Sequence, residues 1–244
     1  MNKLEKSLER EDYYESHQIY RTLYFRLLRD KRYSQLSELL MGGAIRLLLS
    51  GQHNSGADLA TLYIQLLLET NNKTTNGETI VESERLLTNI QNLFELIPAK
   101  SPERLTFVTN AIKIDFIPSA DIRRQFAVVL WREKNFMESR QHFVHSSDSG
   151  LDCALMLVEY QTTAGYPSEV DLFIGQFVLQ VLCVRNKSMA DHTFYAYTSR
   201  HPSINSPNPP FLLPLLNFLW FLLLAIDRYV LLLLDNSYNQ IFFF

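Results

Sequence analysis

His142 and His145 stand three residues apart on one helical face, with Asp148, Asp152 and Cys153 close behind. This is the nearest approach in the chain to a metal site. Zinc takes three or four ligands from converging elements, and two histidines on one helix supply half of that. Surface or interface histidines account for them better, and no metal is expected. Carboxylate pairs such as Glu82 and Glu84 lie on solvent-like faces with no nucleophile to pair with. No G-x-G-x-x-G or G-x-x-x-x-G-K-[ST] phosphate loop occurs, and neither a G-x-S-x-G elbow nor an H-E-x-x-H pair is present. The residues therefore point away from an enzyme and imply no cofactor.

Charge gives a different kind of candidate. Near the N-terminus Lys3, Lys6, Arg10, His17, Arg21, Arg26 and Arg29 mix with Glu5, Glu9, Glu11 and Glu15. Such a mixture is either a solvated face, whose i, i+4 pairs contribute a few tenths of a kcal/mol each, or a docking face for a charged partner. Overall, 23 basic against 26 acidic residues give a net charge of −3. That balance favours neither nucleic acid nor an acidic membrane surface as a partner. Its distribution is uneven. Residues 1–50 hold 9 Lys/Arg and 7 Asp/Glu, whereas 201–244 hold only Asp227, Arg228 and Asp235.

The elements that must position these groups are helices. Eight glycines in 244 residues, about half the usual frequency, argue for long helices and short connections. Apolar residues make up 47% of the chain, enough for a sizeable core, and recur at i, i+3, i+4 almost throughout. The pattern predicts helices over about 13–28, 33–49, 55–70, 79–97 and from 101. Further helices follow at about 120–133, 136–146, 152–164, 167–185, 189–200 and 210–226. Ser55-x-x-Asp58 reads as a capping box opening the third, and Ser101-Pro102-Glu103 as an N-cap, a first-turn proline and a dipole-facing acid opening the fifth. Pro98 stops the fourth, and His201–Pro210 is the longest break and the best candidate linker.

An internal match supplies the higher order. Asp12-Tyr-Tyr-Glu-Ser-His-Gln-Ile-Tyr20 aligns with Asn135-Phe-Met-Glu-Ser-Arg-Gln-His-Phe143 at an offset of 123 residues. That is three units of ~41, the size of a helix-pair repeat. Such a unit cannot bury its apolar face alone, so neighbours must stack. The expected fold is all-α, a right-handed α-solenoid of stacked antiparallel helix pairs.

Cys153 and Cys183 form no disulfide framework and fit a reducing compartment, and the charged N-terminus is unlike a signal peptide. Asn72-Lys-Thr74 and Asn186-Lys-Ser188 are then chance matches to glycosylation acceptors. The run Phe211–Ile226 is sixteen residues long and includes Pro214 and Asn217. A spanning helix needs ~20 apolar residues. Extending the run to Leu234 would bring Asp227 and Arg228 into the bilayer at several kcal/mol. A buried or partner-covered helix is the favoured reading; the alternative is a membrane-anchored interaction protein with 211–234 as its span.

Several collinear stretches carry a family resemblance. These are Asp12–Leu23, Asn54–Leu59, Ser101–Val108, Leu130–Asn135, Glu138–His145, Leu157–Tyr160, Ser168–Asp171 and Pro214–Ala225. Across residues 5–227 the chain resembles the Golgi-to-ER traffic scaffold family, a subunit of the transmembrane-domain recognition complex. The resemblance implies a cytosolic helical-repeat scaffold for post-translational delivery of tail-anchored membrane proteins. It also implies two partners: residues 1–146 would dock the targeting ATPase, and residues 147–227 a ubiquitin-like protein or a large ubiquitin-like co-chaperone. By position, the ATPase-facing candidates are Tyr14, His17, Arg21, Arg26 and Asp58, the last competing with its capping-box role. The candidates for the second partner are Phe211, Leu215, Phe218, Trp220 and Phe221, each of which would serve equally as core. Residues 228–244 depart from the family pattern and read as a truncated or alternative end, which implies weaker binding of the ubiquitin-like partner.

Overall fold

Five short turns organise the chain. Glu11, Lys31, Gly51, Lys134 and Arg185 all adopt left-handed backbone, with φ between 56° and 74°. At each, the next residue's N–H reaches back five positions, as in Asp12 to Ser7 (2.9 Å), Gln52 to Leu47 (2.9 Å) and Asn135 to Leu130 (2.9 Å). This is the Schellman closure, which satisfies the last carbonyls of one helix. The residue that closes one helix starts the next. Asp12 accepts the Glu15 N–H and Asn186 the Met189 N–H through their side chains. Only Gly51 adopts this conformation freely; the other four carry a cost of roughly 1–2 kcal/mol that the closing hydrogen bonds offset.

The computed structural model describes the backbone of residues 2–70, 79–147 and 149–241. Within these it describes the side chains of all but 2, 79–83 and 229–241. The described residues contain no strand. The helices are α1 (Asn2–Glu9), α2 (Tyr13–Arg29), α3 (Tyr33–Leu49), α4 (His53–Thr70), α5 (Thr79–Leu96) and α6 (Pro102–Ala111). They continue with α7 (Ser119–Arg132), α8 (Phe136–Val144), α9 (Gly150–Ala164), α10 (Val170–Cys183), α11 (Lys187–Arg200) and α12 (Pro214–Ile241). A 3-10 turn at Pro167–Glu169 precedes α10. The all-α fold of stacked, antiparallel pairs is as the periodicity predicts.

The internal match is this turn. Asp12, Arg32 and Gln52 stand twenty residues apart, so a helix pair spans about forty. Four residues after each starting residue comes one pressed against the preceding helix: Ser16, Leu36, Gly56, Ser139 and Ala190 are all buried. Three of the five are serine or alanine and one is glycine because the helices approach closely here. A Cβ on Gly56 would lie 2.6 Å from Leu48 Cγ and 2.9 Å from the Leu48 backbone nitrogen.

Three expectations are corrected. The third predicted helix starts at His53, not at a capping box, so Ser55 and Asp58 are interior to α4. Helix α1 was not foreseen. The stretch His201–Pro210, the candidate linker, lies inside one compact unit and joins α11 to α12. Ser101 does cap α6, accepting the Arg104 N–H at 3.3 Å ahead of Pro102.

The chain divides into two compact units, Met1–Val129 and Leu130–Phe244, the division falling within α7. In each, a helix packs on the next and on the next but one. The first unit joins α2 to α3 and α4, and α4 to α6; the second joins α8 to α9 and α10, α9 to α11, and α10 to α12. The first core centres on Tyr63, Phe94, Phe107 and Phe126, with Phe94 and Phe126 4.5 Å apart and the Arg104 guanidinium 4.0 Å over Phe94. The second centres on Phe143, Phe177, Phe194 and Tyr197. Each buried aromatic contributes roughly 1.5–3 kcal/mol relative to exposure.

The turn geometry gives a paired test. Gly56→Ala should lower unfolding stability by about 1–3 kcal/mol, since the added methyl would meet the Leu48 backbone nitrogen as well as its side chain, and the backbone cannot give way. Gly42→Ala, with nothing within 4 Å of the added methyl, should raise it by about 0.5–1 kcal/mol. Urea midpoints measure both, and equal midpoints would refute the close approach at Gly56.

Candidate protein-docking faces

In the first unit the candidate face lies on α2. Ser16, Tyr20 and Tyr24 turn inward, and Tyr20 fits over Gly43, where a Cβ would sit 2.6 Å from its ring. The opposite stripe, Tyr14, Gln18, Arg21 and Phe25, follows i, i+4, i+7, i+11 and faces out. Tyr14 is 77% exposed and Phe25 60%.

His17 and Asp58 brace this stripe from its edge. His17 is buried, and its Nε2 lies 2.8 Å from Asp58 Oδ2 on α4. Arg21 Nη1 approaches the same oxygen at 3.8 Å while remaining exposed. Asp58 thus binds α2 to α4 and holds Arg21 in register, which displaces its expected capping role. Lys3 on α1 pairs with Glu15 at 3.0 Å.

Of the five sequence candidates in this unit, Tyr14, His17, Arg21 and Asp58 come together. Arg26 does not: at 100° per residue it points about 140° away from Arg21 around the helix. Sequence reasoning missed Phe25. The available signal was Tyr24-Phe25 itself, because two adjacent aromatics on one helix cannot both face the core, and here they meet edge-to-face at 5.2 Å.

In the second unit the candidate face lies on α12. Leu216, Leu219 and Leu223 are buried, and Leu215 reaches to 3.0 Å from where Gly175 of α10 would carry a Cβ. Phe211 is buried and meets Phe194 edge-to-face at 5.9 Å. Asn217 clamps it, Oδ1 accepting the Phe211 N–H at 2.8 Å and Nδ2 donating to the Phe211 carbonyl at 2.7 Å. Lys187 on α11 holds Asp191 and, at 2.6 Å, Asp227.

What remains outward is apolar. Phe218 is 53% exposed, Phe221 60% and Leu212 86%. Trp220 is half-buried and touches Phe221 at a ring distance of 4.6 Å. Phe211 and Leu215 therefore serve packing, whereas Phe218 and Phe221 are available to a partner.

The remaining chemical candidates do not converge. Among the described residues no three His, Cys, Asp or Glu side chains gather in a way that could hold a metal ion; Asp148 lies outside the described residues. Complete burial pushes the Cys153 thiol well above its usual range, against the opposing pull of Arg140, so it stays unreactive. Among the described residues no helix is long and apolar enough to cross a membrane. The side chains of residues 229–234, the far end of the alternative span, are outside the described set, as are Asn72-Lys-Thr74 and the side chains of residues 235–244.

Removal of one partner from the His17–Asp58 pair leaves a buried polar ring without its hydrogen bond. Asp58→Ala should cost about 1–3 kcal/mol, and Arg21→Ala less than about 1 kcal/mol because its contact is long and wet. Chemical denaturation of both variants checks the order. An Asp58 variant no less stable than the Arg21 variant would contradict the brace.

The sequence model of the Golgi to ER traffic protein 4 family matches residues 30–241. The Golgi to ER traffic protein 4 homolog of Homo sapiens is 45% identical over 230 residues, covering 92% of this chain and 67% of its own length. Homolog A of Xenopus laevis is 46% identical over the same span, covering 92% and 68%. Among solved structures, that of C. therm. Get4 superposes with a TM-score of 0.75 at 22% identity, covering 98% of this chain and 84% of the other. The structural likeness shows a shared fold, and the sequence identity goes further. This chain belongs to the Golgi to ER traffic protein 4 family.

Proposed function

We propose that this protein is a cytosolic scaffold in the post-translational delivery of tail-anchored membrane proteins to the endoplasmic reticulum. In this reading its first unit docks a targeting ATPase. Its second holds a ubiquitin-like protein or a large ubiquitin-like co-chaperone. One observation carries the reading: each unit has its own outward aromatic stripe on a helix whose opposite face is anchored in the core. A bridging protein needs two such faces, and a chain with a single partner needs only one.

The two faces suit different partners. Tyr14, Arg21 and Phe25 are of the residue types that dominate interface energetics. Arg21 shares Asp58 only at long range, so it keeps most of its charge for an acidic partner, where exposed cations raise association rate and fix register. Phe218, Phe221 and Leu212 form an uncharged surface of the kind that marks a protein contact. The scaffold reading assigns the chain no chemical step of its own.

Binding measurements on each partner separately test it. Arg21→Glu should weaken the targeting ATPase at least tenfold, about 1.4 kcal/mol, and Phe25→Ala by about 1–2 kcal/mol. Both should leave the ubiquitin-like partner's affinity unchanged. Unaltered ATPase affinity in a folded Arg21→Glu protein would remove the α2 face from the proposal.

Phe218→Ala and Phe221→Ala should have the reverse pattern, each weakening the ubiquitin-like partner by about 1–2 kcal/mol without affecting the ATPase. Calorimetry of the purified pairs resolves changes of that size. Binding of the second partner that is indifferent to both substitutions would leave α12 as packing alone.

A further inference from the structure

The connection from α11 to α12 is fastened at its start by one histidine. His201 is 3% exposed, and both of its ring nitrogens are engaged. The Ser203 N–H donates to Nδ1 at 3.1 Å. Nε2 lies 2.9 Å from Gln161 Oε1 on α9, and Gln161 Nε2 donates to the Tyr166 carbonyl at 2.9 Å. Because Nδ1 accepts, the proton sits on Nε2 and the imidazole is neutral. Three hydrogen bonds therefore run in series from the end of α9 to the connection. At the far end Asn217 clamps Phe211. Between the two fastenings Pro202, Ser203, Asn205, Ser206, Pro207, Asn208 and Pro210 are exposed, so little apolar burial holds this stretch in place.

A second proton has no place in this arrangement. It would have to go on Nδ1, setting an N–H against the Ser203 N–H and breaking the bond that starts the connection. The groups around the ring offer the cation no compensation. From α11 comes Tyr197, with ring centroids 5.0 Å apart and its hydroxyl already donated to the Val170 carbonyl at 2.7 Å. Burial, reinforced by Asp171 at the start of α10, holds that phenol well above its ordinary range, so it stays neutral. From α9 comes Gln161, and from the connection Ser203, neither of which titrates. Burial is the cause of His201's own shift, which is downward.

We infer that His201 is a pH-sensitive pin: neutral, it fastens the connection to α9, and protonated, it releases residues 203–210 while the helices stay folded. The sign follows from linkage. The released histidine titrates near the free value of about 6.5, and the pinned one lower, so the released state binds more protons. The pin therefore holds fully above about pH 6.5 and is lost as pH falls through the pinned value.

Hydrogen exchange of the full chain tests this without any partner, so its outcome is independent of the docking proposal. Between pH 7.5 and 5.5, after correction for intrinsic exchange, the Ser203 and Ile204 amides, which donate to His201, should lose protection by up to about tenfold, the factor for one pH unit below the free value. Those of α3 and α4 should be unchanged. His201→Gln, which does not titrate, should show no step. Equal wild-type protection at both pH values, or a step of the same size in His201→Gln, would overturn the pin. Should that variant not fold, the His201 ring resonances of the wild type decide alone. A titration midpoint below 6.5 supports the pin, and one at or above 6.5 overturns it.

Discussion

A helix pair joined by three residues buries one stripe of each helix and leaves the next bare, so the layers cohere where a helix meets its next-but-one neighbour as well as its next. That constraint is visible at every layer. Phe94 of α5 packs on Phe126 of α7, and Phe136, Tyr160 and Phe173 stack in sequence through α8, α9 and α10 at 4.9 Å each. Polar links mark the same layers. His17 meets Asp58 between α2 and α4, Trp131 Nε1 donates to Glu159 between α7 and α9 at 2.7 Å, and Arg140 donates to Gln176 between α8 and α10. The apolar contacts supply most of the energy. The polar ones, each worth about 1 kcal/mol net, fix the register, because a shifted helix would leave a half-buried group unpaired. The same reasoning explains why His17 and Arg140 occupy the same position in the internal match. Five residues after the turn, a side chain points across the intervening helix at the layer beyond.

Register in turn determines which stripes stay outside. On α2 the inward Ser16, Tyr20 and Tyr24 force Tyr14, Arg21 and Phe25 outward, and Asp58 limits the freedom of Arg21 without removing its charge. A face of this kind is pre-organised: its anchoring side chains lose little freedom when a partner arrives, and that saving appears as affinity. Away from the faces the same device serves stability alone. The hydrogen bonds from Lys134 and Trp131 hold the Glu159 carboxyl below its usual range. It therefore supports the fold above the ordinary carboxylate pKa and loses that support as pH falls through its lowered value.

Helix class and the places of α2 to α12 were legible because they rest on local periodicity, and the turns at Asp12 and Asn135 because they share one short pattern. What was illegible depended on partners far along the chain. Ser55-x-x-Asp58 has the form of a capping box, yet Asp58 answers to His17, forty-one residues earlier. Nothing within four residues of Asp58 could reveal that. His201–Pro210 has linker composition, but its first residue is held by Gln161, forty residues before it. Of the docking candidates, Tyr14, His17 and Arg21 came by position from the family resemblance, and their i, i+3, i+7 spacing puts them along one side of α2. Arg26 falls on another side of the helix and Phe25 on the same one, a distinction that position in the family pattern does not draw.

The last helix shows why composition could not choose between core, membrane and partner. Up to Ile226, α12 is apolar on every side, so hydropathy gives it no preferred orientation. Three features outside the apolar pattern supply one. Gly175 opens a notch on α10 that admits Leu215, Asn217 closes on the backbone of Phe211, and Lys187 draws in Asp227. Two act on the first turn of the helix and the third on a turn ten residues on, and together they fix its rotation with Leu216, Leu219 and Leu223 inward. Asn217, which reads as a penalty against a bilayer, is thus one of the groups that seat the helix on protein. Once the rotation is fixed, Phe218 and Phe221 must face outward, and an aromatic surface held there by polar groups is suited to contact with a partner.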